Sequence, residues 1–430
     1  MGSTGTGAPH VLIVGAGIGG LFLAQFLRKQ GISFSIFERD ESSDARFPGW
    51  AIGLNMLDNF ESFMPDDVLS LRNANHLLPL GLPSQFIMYP PGGARVGVED
   101  TPKTPCVRVN RKRLRSLLMT GVPVQWGKKL VRVDEDRVAS TVTAHFDDGT
   151  SATGGLLVGA DGTWSKTREQ VLGRSNTETL EAMPMAMISG EVTISNEETD
   201  GEESFLAKQL RLGHSSYIAI RPGNTFFCGV DRVSPGGDAA SFYWFLYMRD
   251  DTAADADHWL HTATKEEKYA RVLSVTESVQ MEPRHTEIVR RGSPDDVTEA
   301  FSLYYDAILE TLPVQGRRII LIGDAAHPTT PFRGEGGIMA IKDALQLSNL
   351  LADVATSGLD EAALQSRLEA YQDDVTKRGA AVVQMSRNAI LGTGGPANPA
   401  NNQKPRSWGF EVCPIPESTG PLGLGKAAAK

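Results

Sequence analysis

His10 to Arg39 reads HVLIVGAGIGGLFLAQFLRKQGISFSIFER, and this stretch decides the fold. Val11 to Val14 is an apolar run of strand length, and Gly15, Gly17 and Gly20 stand at its end as G-x-G-x-x-G. Gly15 permits a tight turn, Gly17 lets backbone approach a pyrophosphate, and Gly20 lets the following helix pack closely on the sheet. The unpaired N–H groups and the positive dipole pole of that helix favour an anion. Phe34-Ser35-Ile36-Phe37 reads as a second strand, closed by Glu38 and Arg39. Glu38 lies where a carboxylate accepts hydrogen bonds from a ribose diol. The glycines alone would be weak evidence; strand, helix and acid together predict a dinucleotide site.

The bulk properties set the surroundings. At 430 residues the chain suggests two or three domains, and 41% hydrophobic residues suffice for sizeable cores. The net charge of −10 argues against a nucleic-acid partner or an anionic membrane surface. Residues 1–9, MGSTGTGAP and His-free until position 10, read as a disordered lead without a signal sequence. No run approaches the ~20 apolar residues of a membrane helix, so a soluble, cytoplasmic protein is expected. Cys106, Cys228 and Cys413 are odd in number and widely spaced, which fits neither a disulfide framework nor a zinc ribbon. His258 and His261 share a stretch with Asp255 and Asp257, but they read better as a solvated helix face than as metal ligands, and no metal is expected.

Outward from the first motif, Phe86 to Val98 reads as a hairpin broken by PPGG, and Asn55 to Asn75 as one or two short helices. VRVNRKRLRSLL places Arg111 at a helix start. Val122–Trp126, Leu130–Val133 and Val138–Phe146 read as strands. Residues 183 to 301 have a different texture: MISGEVTIS, SFLAKQLRL, SSYIAIR and TFFCGVDR all look strand-like, with helices expected at Ala239–Tyr247 and Lys265–Leu273. This aromatic-rich region is the candidate substrate domain.

Two further stretches repeat the logic of the first. LLVGADGTWSKTR is an apolar strand, Leu156–Gly159, that runs into Asp161-Gly162 and a helix with Ser165 as N-cap and Arg168 three residues on. Arg318–Ile322 is another apolar strand, followed by GDAAHPTTPFRGEGG and a helix from Ile338 to Val354. Gly323-Asp324 then sits at a strand's carboxyl end, Pro331 in the turn, and Gly334, Gly336 and Gly337 at a helix start. Asp324 can accept hydrogen bonds from a polyol, and the glycine loop can present N–H groups to an electron-rich oxygen. Glu361–Arg387 reads as a second helix and residues 393–430 as an extended tail.

In this order and spacing, GAGIGG with Glu38, GADGTWSKTR and GDAAHPTTPFRGEGG resemble the class A FAD-dependent monooxygenases of the p-hydroxybenzoate hydroxylase fold. GWAIGLN, VNRKRLRSLL and PFRGEGGIMAIKDAL look most like the short fungal members that oxidise natural products. The resemblance implies an α/β chain, α+β overall. A discontinuous Rossmann-like FAD-binding domain would span 10–180 and 302–392, with C-terminal helices and an inserted, mostly antiparallel substrate domain at 181–301. It further implies that Gly15, Gly17 and Gly20 hold the pyrophosphate, that Glu38 and Arg39 lie at the adenosine ribose, and that Arg111 contacts FAD. Asp161, Gly162 and Arg168 would form the motif tied to FAD and to NAD(P)H use. Gly323 and Asp324 would meet the ribityl chain, and Pro331, Gly334, Gly336 and Gly337 the isoalloxazine. Arg46 would lie where the family meets flavin or nicotinamide.

The implied reaction takes O2 and NAD(P)H, NADPH favoured over NADH, forms a flavin C4a-hydroperoxide and oxidises a small organic, aromatic or alkene substrate. Halogenation, Baeyer-Villiger oxidation and non-catalytic flavin binding are the alternatives; the W-x-W-x-I-P of halogenases is not matched by GWAIGL. No catalytic base identifies itself. His214, Tyr217 and Arg211 are the candidates, each better read as structural.

Overall fold

In a computed structural model, the structure describes residues 8–45, 49–55, 60–196, 203–299, 303–357, 360–391 and 413–414. A five-stranded parallel sheet holds the first motif, in the order Ile319–Leu321, Leu156–Gly159, Val11–Val14, Phe34–Phe37, Val124–Gln125. Its central strands are buried throughout, as a parallel sheet covered on both faces requires. The helix Ile18–Lys29 follows the glycine turn, and Gly19 packs against Ala340 of the long helix Gly336–Ser357. Gln25 of that first helix donates to the carbonyls of Leu118 and Thr120, 2.7 and 2.8 Å away, fixing the end of the helix Arg111–Leu118.

The second large element is a seven-stranded sheet: Met185–Ser195, Ala239–Arg249, Asn224–Val233, Ser216–Arg221, Gln85–Tyr89, Val96–Glu99 and Cys413–Pro414. Every pairing is antiparallel except that of Ser216–Arg221 with Gln85–Tyr89. The PPGG hairpin is therefore present, but its strands extend this sheet, which is not confined to residues 181–301. Side chains alternate across a strand. Phe242, Trp244, Leu246 and Met248 lie in one apolar core with Phe226, Cys228, Val230, Ala186 and Ile188, beneath helices Phe205–Arg211, Lys265–Ser278 and Pro283–Arg291. Tyr243, Phe245 and Tyr247 point the other way.

Two elements differ from the sequence reading. SFLAKQLRL, expected as a strand, forms the helix Phe205–Arg211, whose N-cap Ser204 accepts the Ala207 N–H at 3.2 Å. Ala239–Tyr247, expected as a helix, is the strand Ala239–Arg249, with Phe, Tyr and Trp in the pleated positions these residues favour. Both of its faces are buried, so neither periodicity was visible. Val138 is not in a strand but almost fully exposed in a turn, which Asp136 closes by accepting the Val138 and Ala139 N–H groups at 2.9 Å. His258 is likewise not on a solvated face: it is buried and bonded to Asp250 at 3.0 Å. Among the described residues no His, Cys, Asp or Glu cluster suits a metal ion, and no helix is long and apolar enough to cross a membrane.

Candidate active site

The three glycine-bearing turns meet at the carboxyl ends of the parallel strands, where ligands enter open sheets of this kind. Gly15 has φ +107°, and a Cβ there would lie 2.4 Å from the Ala160 carbonyl oxygen, so the first turn presses directly on the second. A Cβ on Gly20 would lie 2.0 Å from the Gly15 oxygen. A Cβ on Gly17, by contrast, would meet nothing within 4 Å. The backbone is thus tight beneath and open above, which fits a pyrophosphate laid on the helix start. Glu38 is buried; it accepts the Ala16 N–H at 2.8 Å and the Asp40 N–H at 3.1 Å. It braces the turn. Arg39 beside it is exposed.

The second and third motifs are joined side chain to backbone. Thr163 donates to Asp324 at 3.3 Å. Arg168 is fully buried, and its guanidinium donates to the Asp324 and Ala325 carbonyls at 3.1 and 3.2 Å, to the Thr163 carbonyl and to Asn176. Burial lowers its pKa to about 10. Arg168 therefore ties one turn to the other from below. Asp161 is turned toward its own helix, accepting from Ser165 at 2.5 Å and from the Thr167 N–H at 3.0 Å. Ser165 in turn caps that helix by accepting the Arg168 N–H at 2.8 Å. Gly162, at φ +79°, leaves open space where a side chain would stand.

Asp324 is half-buried between these groups. Burial raises its pKa, opposed by His327, the Thr163 hydroxyl, Arg111 and Arg168. Arg111 opens the helix Arg111–Leu118, with Asn110 as N-cap, and its charge reaches Asp324. A Cβ on Gly49 would lie 2.5 Å from its guanidinium, so the chain following the second strand runs over Arg111. Pro331 opens a single turn, Pro331–Arg333, ended by Gly334 at φ +66°. Gly336 and Gly337 begin the helix Gly336–Ser357, whose first N–H groups have no partner within the helix. A Cβ on Gly336 would lie 3.7 Å from Asp324. Arg46 lies outside the described residues.

The group that clamps this third turn lies outside the three motifs. Asp343 is buried; it accepts from His327 at 2.7 Å, from the Gly323 N–H at 2.9 Å and from Arg378 at 3.2 Å. Asp343 raises the His327 pKa against its burial. His327 stands in the quoted motif; Asp343 is one polar residue in an apolar helix, a signal visible but ambiguous without the fold.

Opposite the third turn lies the second face of the large sheet. Phe332 meets Tyr247 at 4.9 Å and Tyr304 at 5.6 Å between ring centroids. Tyr304 also donates to the Met187 sulfur at 2.8 Å. Trp50 stacks on Tyr243 at 5.2 Å, meets Phe245 edge-on at 4.9 Å, and donates to Glu191 at 3.0 Å. Phe227 completes the wall against Tyr243 and Phe245, both at 5.5 Å. The third turn and this face of the sheet thus meet across a cluster of aromatic side chains. His214 and Tyr217 are not part of it: His214 is buried beside Tyr89 and Gln209, and Tyr217 donates to the His285 carbonyl on the helix-covered face. Arg211 pairs with Glu203.

A glycine-rich cradle of this architecture at the carboxyl ends of a parallel sheet is that of a dinucleotide-binding protein. The pattern of the FAD binding domain family matches residues 9–386, and the chain belongs to that family. It is 41% identical over 415 residues to FAD-dependent monooxygenase thnD of Trichoderma harzianum, covering 95% of this chain and 98% of that one. FAD-dependent monooxygenase cctM of Talaromyces islandicus is 29% identical, covering 90% of this chain and 93% of its own length. Among solved structures, a putative FAD-containing monooxygenase from Photorhabdus luminescens superposes with a TM-score of 0.68 at 23% identity, covering 90% and 99% of the two chains. HpxO of Klebsiella pneumoniae with FAD and uric acid gives 0.63 at 21%, covering 90% of each. The protein is an FAD-dependent monooxygenase.

Proposed function

We propose that this enzyme uses NAD(P)H, with NADPH preferred, and O2 to insert one oxygen atom into an aromatic or alkene natural product, held in a chamber that forms between the third turn and these aromatic side chains. When bound and reduced, FAD supplies the activation of O2. The chain's own residues do the rest. Gly15, Gly17 and Gly20 present the helix start to the pyrophosphate, Glu38 and Arg39 flank the adenosine ribose, and Arg111 and Asp324 hold the polyol between them. Gly323 is fixed through its N–H to Asp343, and so presents Asp324 at a set position. Pro331 and Gly334 shape the turn beside the ring system, and the free N–H groups at Gly336 and Gly337 stabilise negative charge at its edge. Asp161, Gly162 and Arg168 set the height of the second turn against Asp324.

The division of labour follows the cores: residues 10–180 and 302–392 carry the flavin, while 181–301 with the 85–99 hairpin carry the substrate. Tyr243, Phe245, Tyr247, Trp50 and Phe332 exclude water from the chamber, which protects the oxygenating species and strengthens electrostatic interactions inside it.

The observation that supports this reading is the contact of Thr163 with Asp324, which joins turns 161 residues apart at the carboxyl ends of the parallel strands. Anaerobic addition of NADPH should bleach the bound flavin faster than NADH does. In air, labelled O2 should leave one labelled atom in the product of any compound that stimulates NADPH oxidation. Flavin that neither nucleotide reduces, with or without candidate substrates, would overturn the proposal.

A further inference from the structure

We propose that Ser386 and Arg387, consecutive on the helix Glu361–Leu391, are positioning residues that lock the junction between the two sheets and so hold the third turn at a fixed setting against the aromatic face. The proposal rests on the reading above only in taking the third turn to border the flavin. Two of the chain's passages between the large sheet and the nucleotide half pair with each other. Glu181–Ala182 runs antiparallel to Tyr305–Asp306, with Glu181 opposite Asp306 and Ala182 opposite Tyr305. The Met183 N–H extends this ribbon by donating to the Tyr304 carbonyl at 2.8 Å. Leu180, Ala307 and Leu309 form a small apolar cluster here, separate from the two large cores.

Four consecutive residues at the ribbon reach four different neighbours. Tyr304 meets Phe332 of the third motif at 5.6 Å and Tyr247 of the aromatic face at 6.1 Å between ring centroids. Tyr305 meets Trp164 of the second motif edge-on at 5.0 Å. Asp306 accepts from the Arg387 Nε–H at 2.9 Å. The Ala307 N–H donates to the Pro328 carbonyl at 3.3 Å. Any shift of the ribbon is therefore felt by both cofactor turns and by the aromatic face.

Arg387 grips both strands of the ribbon, since another of its nitrogens lies 3.0 Å from the Glu181 carboxylate. Asp306 is buried, its second oxygen has no hydrogen-bond partner, and burial raises its pKa against the pull of Arg387. Among the described residues Arg387 is the one cation paired with Asp306. Without that guanidinium the ribbon would carry an uncompensated buried acid and could not keep its place. Ser386, one residue earlier, holds the third turn instead. Its hydroxyl lies 2.7 Å from the Thr330 hydroxyl and donates to the Thr330 carbonyl at 3.2 Å, one residue before Pro331. Further back the same helix fits closely on the motif, for a Cβ on Gly379 would lie 2.4 Å from His327. Packed bodies joined by short linkers hinge at those linkers. Here the grip on the linkers and the grip on the third turn are adjacent residues of one helix. A third turn free to part from the aromatic face would admit water, and oxygen would leave as peroxide.

The test is hydrogen exchange on the FAD-loaded enzyme, with iodide quenching of the bound flavin's fluorescence as the second measurement. Arg387→Met should speed exchange about tenfold or more at residues 181–183 and 304–307, and also at 326–334, where nothing has been substituted. Ser386→Ala should do the reverse, loosening residues 304–307 as well as its own partner turn. Both variants should open the flavin to iodide, and Arg387→Lys should restore part of the protection. Exchange that rises only beside the substituted residue in each variant, or iodide quenching that stays at the wild-type level in both, would overturn the proposal. If Arg387→Met does not fold, Ser386→Ala and Arg387→Lys still decide. Neither measurement uses NADPH, so bleaching of the flavin by NADPH on the same preparations separates failure of this inference from failure of the reaction assigned above.

Discussion

The strand Ala239–Arg249 presents two faces that are nearly equal in aromatic content and opposite in use. On one, Phe242, Trp244 and Leu246 are sealed under helices, and Gly190 makes room for the indole: a Cβ there would lie 2.4 Å from the Trp244 ring. On the other, Tyr243, Phe245 and Tyr247 meet residues from far along the chain, Trp50, Tyr304 and Phe332, whose partners are polar as well as apolar. The lesson is that burial alone does not distinguish core from chamber here, since Tyr243 and Trp244 are both almost inaccessible. What differs is whether each ring's neighbours belong to its own sheet and helices or to the flavin-side turns.

The comparison breaks most sharply at Trp244. Trp244→Ala should lower stability by about 3–5 kcal/mol, since the covering helices cannot collapse into the cavity; chemical unfolding followed by tyrosine fluorescence and circular dichroism would show it. On the cofactor side, Asp324→Ala should weaken FAD binding by about 1.5–3 kcal/mol, read from flavin content after purification and from titration of the apoprotein. Full occupancy with unchanged turnover would contradict the role given to Asp324.

Acid sharpens the contrast. His214, on the helix-covered face, and His76, bonded to the Val230 carbonyl at 2.6 Å, are both pushed down by burial, to about 2 and about 3, from 6.5. Between pH 6.5 and those values the unfolded chain takes up protons that the folded chain refuses. Each histidine therefore contributes stability that is present above pH 6.5 and falls by about 1.4 kcal/mol per pH unit below it. His214→Gln should flatten the dependence of unfolding free energy on pH in this window. An unchanged slope would show that His214 already takes up its proton in the fold. The smallest effect is expected in the chamber: Tyr247→Phe should change stability by only about 1 kcal/mol. It should nevertheless alter the ratio of product formed to NADPH consumed.

The nucleotide half was legible because its signals are local. A strand, a G-x-G-x-x-G turn and a helix are written in consecutive residues, and Ser165 stands where the sequence puts a cap, whereas Gly334, expected at a helix start, ends the turn Pro331–Arg333 and the helix begins at Gly336. The chamber was not legible, for a physical reason. Ala239–Arg249 is buried on both faces, so its pattern lacks alternation, and an unbroken aromatic run reads equally as helix.

The strand Ile319–Leu321 completes the parallel sheet from beyond the six strands of the large sheet that lie between Gln85 and Arg249, and Asp324 follows three residues later. During synthesis, then, the first three hundred or so residues emerge with Leu156–Gly159 as an open edge and with Asp324 still untranslated. With the role proposed for Asp324, cofactor capture should be one of the last events in maturation. Nascent chains stopped before Arg318 should hold no flavin, and riboflavin supply in the cell should control the yield of finished enzyme more than the rate at which its earlier portions fold.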